Sequence, residues 1–469
     1  MDEPLTHEPV ASIRDERPTL AEVLDDAPTS RFHHRAVLVS GMGFFTDAYD
    51  LFVIGTVATI VSAQWHLSTA QTSWVTGAAI LGAFVGAFAF GRIADVTGRK
   101  TVYAVVAGVM VVGAVGSALA PNVVWLVIFR VVLGLGVGGD YPVSAVLMSE
   151  YSNRRDRGRL VGLVFAMQAV GLIVGPLVAI VLLGSGAGSA LTWRLLLGLG
   201  AVPAAAVIYL RARMPESPRF RERVQGEGAR AAAELHTFAA GALDARNLST
   251  RPAAARALVR PWHLLTTPGL RRLVIGTTAS WFLFDYAYYG NTLSLPAILK
   301  GVDPTASLVA KLWWSLALFA LFALPGYALA VARMDRIGHR RLQWLGFAAM
   351  AIVFGLLAAV PVLTTMIAPF VALFGVSYFF TEFGPNTTTF VLPSEIFPAE
   401  VRTTAHGAAA GIGKLGAFVG VFLVPRLSVA IGLRGMLAVA AGAALVGVAA
   451  TAALPEPARR SLDDVGDHL

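Results

Sequence analysis

The sequence predicts an all-α integral membrane protein, with twelve transmembrane helices in two pseudo-symmetric six-helix bundles. Three observations predict it. Of 469 residues, 56% are hydrophobic and only 14% charged, where soluble domains carry roughly a quarter charged residues. Apolar stretches long enough to span a bilayer recur from residue 36 to residue 454, about twelve in number. Landmarks of the first half return in the second at a nearly constant spacing. Backbone polar groups in lipid need internal partners, and the alternating pattern of a barrel strand is absent, so the spans are helices.

In chain order, residues 1–34 are polar and mixed in charge, with no apolar run of signal-peptide type, and read as a cytoplasmic tail. Residues 35–213 hold the first six-helix bundle. Residues 214–268, rich in Arg, Ala and Pro, are too polar to span and read as a cytoplasmic central loop with one or two surface helices. Residues 269–455 hold the second bundle, and 456–469 a second cytoplasmic tail. The formal charge of +8 suits nucleic acid by its sign and excludes it by its placement. Basic residues fall in alternate connections, such as Arg92, Arg99 and Lys100, then Arg154, Arg155, Arg157 and Arg159, then Arg333, Arg336, Arg340 and Arg341. The opposite connections, 64–71, 120–122 and 361–365, carry almost none. That asymmetry puts the basic loops and both termini in the cytoplasm of a multi-pass protein of the cell membrane. The absence of cysteine excludes disulfides and thiolate metal sites.

Charges inside the spans carry the functional signal. Asp47, Asp50, Asp140 and Asp285 lie in the segments GMGFFTDAYDLFVIG, GLGVGGDYPVSAV and SWFLFDYAYYG, and Arg130 and Lys414 are placed in the same way. A charge at the centre of a bilayer costs about 2.5 kcal/mol or more, so it is paired, turned toward water, or used on an ion pathway. One such residue can sit at a helix end and reach the interface. Six imply a pathway through the bundle. No nucleophile–base pair, metal-binding cluster or phosphate-cradling loop accompanies them, so no enzyme activity, cofactor or metal is expected.

The two-bundle organisation rests on repeated landmarks. GRIADVTGRK at 91–100 has a counterpart in VARMDRIGHRR at 331–341, with Asp95 and Gly98 matching Asp335 and Gly338 at an offset of 240 residues. Glu150 precedes Arg157 by seven residues as Glu395 precedes Arg402, at an offset of 245. Such repeats mark duplicated halves. GRIADVTGRK resembles the signature loop between the second and third helices of the major facilitator superfamily, and PESPRF at 215–220 resembles an element of its sugar-porter-type members. The resemblance implies a cytoplasmic gate of Asp95, Arg99, Lys100, Glu150, Arg157, Asp335, Glu395 and Arg402. There Asp95 caps a neighbouring helix end and the arginines hold the gate by charge pairing.

Three further segments narrow the resemblance. FFTDAYDLF in the first span, GGDYPVSA in the fourth and GPNTTTFVLPSEIFPAEVRTTAHG from the tenth onward are similar to the phosphate:proton symporters of the superfamily, and WFLFDYAYYG and GKLGA fit the same family. The resemblance implies phosphate contacts from Tyr141, Gln168, Trp281, Asp285, Tyr289 and Asn386, with Lys414 nearby. It implies proton handling by Asp47, Asp50 and Asp140, with Arg130 as charge partner. The implied partners are inorganic phosphate, protons and the lipid bilayer, and the implied protein is a monomer that imports phosphate by alternating access. Spacing agrees with this grouping. Asp47 and Asp50 share one helix face, as do Trp281, Asp285 and Tyr289. Arg130 and Asp140 lie about 15 Å apart by helix rise, which points Arg130 to an aspartate of the first span instead.

Dihydrogen phosphate offers hydroxyls as well as acceptor oxygens, so a carboxylate such as Asp285 can accept from it while Lys414, Trp281 and the tyrosines donate. Sulfate has no proton to give and would meet Asp285 as repulsion. Trp281 and Tyr289 also fit as packing aromatics, and Gln168 as a bridge between helices. The Gly134–Gly138 and Gly416–Gly420 pairs read as close helix packing. Glu382 departs from the family pattern, which has an amide there, and adds negative charge if it faces the cavity. The alternatives are a proton symporter of another small solute, such as a sugar or organic acid, and a phosphate-sensing receptor of transporter-like form.

Overall fold

The computed structural model describes residues 18–233 and 260–462, and the parts of the two tails and the central loop beyond these lie outside the described residues. Among the described residues all regular structure is helical. The long helical elements in the first half are α1 (Arg31–Trp65), α2 (Thr69–Thr97), α3 (Arg99–Leu119), α4 (Val123–Tyr151), α5 (Arg157–Gly184) and α6 (Ser189–Ala212). In the second half they are α7 (Pro268–Leu293), α8 (Leu308–Ile337), α9 (His339–Ala359), α10 (Ile367–Ile396), α11 (Arg402–Ala430) and α12 (Gly432–Thr451). Eleven of them are apolar enough to cross a membrane by composition. Helix α7 is 26 residues long but stands outside that set, because it carries Arg271, Arg272, Asp285, three tyrosines and Asn291.

Local chemistry sets the helix ends. Ser68 and Gln71 form a reciprocal capping box at the start of α2, and Asn122 accepts from the N–H groups of Val124 and Trp125 at the start of α4. Gly98 and Gly338 end α2 and α8 with φ of 103° and 101°, a conformation that glycine adopts without steric cost. Each turn is then capped by a glutamate from the end of its own half. Glu216 Oε2 accepts from the Lys100 N–H at 3.2 Å. Glu456 accepts from His339 N–H at 2.9 Å and Arg340 N–H at 3.1 Å. Pro215–Glu216 and Pro455–Glu456 are themselves 240 residues apart. Burial pushes the Glu216 carboxyl above its usual range, with the N–H groups of Ser217 and Lys100 and the charge of Arg99 pulling it back.

The packing repeats the same symmetry. Within the halves α1 lies on α5 as α7 lies on α11, α2 on α4 as α8 on α10, and α3 on α6 as α9 on α12. Between the halves α2 lies on α11 as α5 lies on α8. Gly134 and Gly138 let α4 meet the α2 main chain at Ala79 and Ala83, where any Cβ would collide. Helix α10 is broken at Glu382–Asn386, where Gly384 has φ −114° and ψ −108° and Pro385 removes a donor. The following threonines repair the break. The hydroxyls of Thr387, Thr388 and Thr389 donate to the carbonyls of Glu382, Gly384 and Pro385 at 2.6, 2.9 and 2.7 Å.

On the face that carries the basic loops, polar contacts zip the halves together. Asp95 accepts from the N–H and hydroxyl of Thr404, at 2.7 and 2.6 Å, and so caps α11. In the mirrored contact Asp335 accepts from the Arg159 N–H at 2.8 Å and caps α5. Arg402 reaches across to Glu150 at 3.0 Å, and Arg99 joins Asp95 and Glu150 at 3.2 and 3.5 Å. His339 takes the corresponding place in the second half, 3.4 Å from Asp335 and 3.5 Å from Glu395. Arg157 turns instead to Asp25 of the short helix Leu20–Asp26, at 2.9 Å. Asp25 also takes Arg219 at 2.7 Å and the Ser461 hydroxyl at 2.5 Å. Lys100 contributes its main-chain N–H rather than a described side-chain ion pair.

Candidate functional site

Midway through the bundle, α1, α4 and α5 of the first half and α7 and α11 of the second turn polar side chains toward one another. Lys414 is the centre. Its Nζ donates to the hydroxyls of Tyr289 at 2.5 Å and Tyr141 at 3.1 Å, and lies 3.4 Å from Asp285 Oδ2. It also rests over both phenol rings, 4.2 and 4.4 Å from their centroids. Tyr141 donates to Asp47 Oδ2 at 2.6 Å. Gln168 Nε2 donates to the same oxygen at 3.3 Å and to the Tyr141 hydroxyl at 3.1 Å. All of these side chains are buried; Asp47, at 6%, is the most exposed of them. One carboxylate oxygen, Asp285 Oδ2, accepts no hydrogen bond.

The other sequence-selected residues surround this centre at different ranges. Trp281 stands one turn before Asp285, with its ring 6.0 Å from that of Tyr141 and 5.5 Å from that of His406. Asn386 joins indirectly: its amide donates to the Tyr327 hydroxyl at 2.7 Å, and Tyr327 donates to Gln168 Oε1 at 3.1 Å. Asp50 binds Arg130 in a buried ion pair between α1 and α4, and Asp50 also lines a small cavity with Asp47, Tyr289 and Lys414. Asp140 is held in a separate network. Arg211 of α6 grips both its oxygens at 2.7 and 3.0 Å, and Ser144 donates to it at 3.0 Å.

Below the centre, toward the basic face, aromatic rings fill the space between the halves. Phe390 packs on Phe44, Phe165 and His406 at centroid distances of 4.9, 4.6 and 5.4 Å. With the zipped loops beneath, this plate separates the site from the basic face. Donors around one cation, with a carboxylate oxygen 3.4 Å from it that accepts no hydrogen bond, suit a small oxyanion that still bears an acidic hydrogen.

Residues 36–467 match the family model described as Sugar (and other) transporter. The chain belongs to the sugar (and other) transporter family. Relatives of this transporter include inorganic phosphate transporter 1-6 of Oryza sativa subsp. japonica, 35% identical over 94% of both chains. Low affinity inorganic phosphate transporter 8 of Medicago truncatula is 34% identical over 94% of this chain and 92% of its own. The transporter shares its fold with the major facilitator superfamily proton:xylose symporter XylE of E. coli. In the form bound to 6-bromo-6-deoxy-D-glucose, the match has a TM-score of 0.78 at 21% identity, over 93% of this chain and 99% of that one.

Sequence reasoning does not single out several residues that build this candidate site. Tyr327 links Asn386 to Gln168, and Arg211 neutralises Asp140. Arg211 stands in the run VIYLRARMP at the end of an apolar stretch, where an arginine also fits as a topogenic flank. Asp25 falls in a polar tail with no periodic signal. The Pro–Glu pair at 215 and 455 is a third repeated landmark, at the 240-residue offset of the first.

Proposed function

We propose that this transporter is a proton-coupled symporter that imports inorganic phosphate by alternating access. The observation that carries the reading is Lys414 set among the Tyr141 and Tyr289 hydroxyls, beside an Asp285 oxygen with no hydrogen bond. Dihydrogen phosphate has acceptors for the lysine and a hydroxyl for the carboxylate. The relatives named as inorganic phosphate transporters support the same substrate. In this reading Trp281 walls the site, and Gln168 and Asn386 hold its polar rim. Asp47 exchanges the proton, Asp50 with Arg130 and Asp140 with Arg211 tune it, and a proton on Asp47 removes charge that repels the anion. Proton and phosphate then favour each other's binding, a reciprocal linkage.

The same reading takes α7 as the twelfth span of two six-helix bundles, functioning as a monomer in the cell membrane. The basic face is cytoplasmic, and the Asp95, Arg99, Glu150, Arg402 and Asp335, His339, Glu395 clusters form the gate that parts when the halves rock. Purified transporter in proteoliposomes should accumulate labelled phosphate only under an inward proton gradient. A sugar or carboxylic acid accumulating in its place would sink the assignment, and tight phosphate binding without flux would make the protein a receptor.

Selectivity gives a second test. Asp285→Asn keeps one acceptor oxygen and removes the charge that rejects fully deprotonated anions. Phosphate affinity should fall by about 1.5–3 kcal/mol, the range of a charge-assisted hydrogen bond, and sulfate should begin to compete. A variant that binds phosphate as the parent does and still ignores sulfate would put Asp285 outside the anion site.

A further inference from the structure

Glu382 lies in the break of α10 and is fully buried, at 0% exposure. The other interior carboxylates are answered by cations: Asp50 by Arg130, Asp140 by Arg211, Asp285 by Lys414, with Asp47 separated from Lys414 only by Tyr141. Among the described residues Glu382 has no ion-pair partner. The groups that face it are neutral: the Asn386 amide, which donates to it, the phenols of Tyr288 on α7 and Tyr327 on α8, and Gly326 of α8 against its Cβ. Helix α9 meets the break with Gly346. Glu382 Oε1 accepts no hydrogen bond. A carboxylate withdrawn from water with no cation beside it is tolerated with a proton in place, and the unused oxygen is where that proton has room.

Its connections run straight to the proposed proton site. Asn386 bonds both Glu382 and Tyr327, Tyr327 bonds Gln168, and Gln168 bonds Asp47. This chain crosses from the second half to the first. We infer that Glu382 is a second proton-binding carboxylate of the transport cycle, placed on the second half and coupled through Asn386, Tyr327 and Gln168 to Asp47. The inference rests on the symport reading above. Deprotonated Glu382 adds negative charge one turn from Asn386, at the rim of the anion site. Its proton must therefore arrive with the anion and leave with it, and each half contributes one exchangeable carboxylate. With dihydrogen phosphate as cargo, two protons make each turnover carry net positive charge inward, where one proton would make it electroneutral.

The test measures the proton-to-phosphate ratio in proteoliposomes, from the opposing phosphate gradient that just stops proton-driven uptake. The parent ratio should exceed that of Glu382→Gln by one, and only the parent should respond to an inside-negative potential. Equal ratios and equal responses in parent and variant overturn the inference. A carbodiimide that adds to protonated buried carboxyls, mapped by mass spectrometry on the parent protein, decides the point even where Glu382→Gln does not fold. Labelling of Glu382 that fades as pH rises supports the assignment, and no labelling at any pH overturns it. If the parent moves no phosphate, the symport reading fails on its own, and the labelling still reports whether Glu382 binds a proton.

Discussion

Lys414→Gln should remove measurable phosphate binding, the largest single loss expected at this site. The ammonium does three things at once: it faces Asp285 at 3.4 Å, donates to Tyr141 and Tyr289, and supplies the only cation of the central cluster among the described residues. Breaking a buried pair by deleting one partner costs about 3–5 kcal/mol, because the remaining charge is left uncompensated. The incoming anion also loses its countercharge, so affinity should drop by more than a hundredfold, as read by titration calorimetry. Pairing the change with Asp285→Asn should restore thermal stability, since no uncompensated charge remains, and leave binding lost. A single variant that binds phosphate within about tenfold of the parent, a difference of about 1.4 kcal/mol, would place Lys414 outside the anion site.

Asp47→Asn should abolish gradient-driven accumulation while exchange of labelled for unlabelled phosphate continues. Tyr141 and Gln168 both donate to Asp47 Oδ2, and the amide oxygen can keep those bonds. What it cannot do is take up and release a proton. Binding and rocking therefore survive, and coupling does not. Asp140→Asn should behave differently, because Arg211 grips both oxygens of Asp140 and would be left as a buried unpaired guanidinium. Its main effect should be lower thermal stability. Accumulation by Asp47→Asn at the parent rate would remove this residue from the proton path.

The contrast between Asp47 and Asp140 also marks what the sequence could and could not say. Periodicity places Asp47 and Asp50 on one face, and helix rise directs Arg130 toward the first span, where it meets Asp50. The loop signature implies that Asp95 caps a neighbouring helix, and it does so at Thr404. Those readings depend on spacing within a helix or on a local motif. Arg211 meets Asp140 across 71 residues, and Tyr327 meets Gln168 across 159. No local pattern encodes such a meeting, because it follows from how helices cross. The break in α10 was written as Gly–Pro, yet the three threonines that repair it take their meaning only from the carbonyls that the break sets free. Helix α7 shows the reverse conflict: the polar residues that serve the centre dilute the apolar signal by which a span is recognised.

The paired Glu216 and Glu456 caps bear on how the chain matures during synthesis. Each glutamate lies just beyond the sixth helix of its half and closes the turn between that half's second and third helices. A half is therefore locked by the residues that leave the ribosome last, and no part of the other half is needed for that step. Domains generally fold as units in the order they are made. Fragments divided between residues 233 and 260 would each retain their own closing glutamate, whereas a division at 213 would hand Glu216 to the wrong piece.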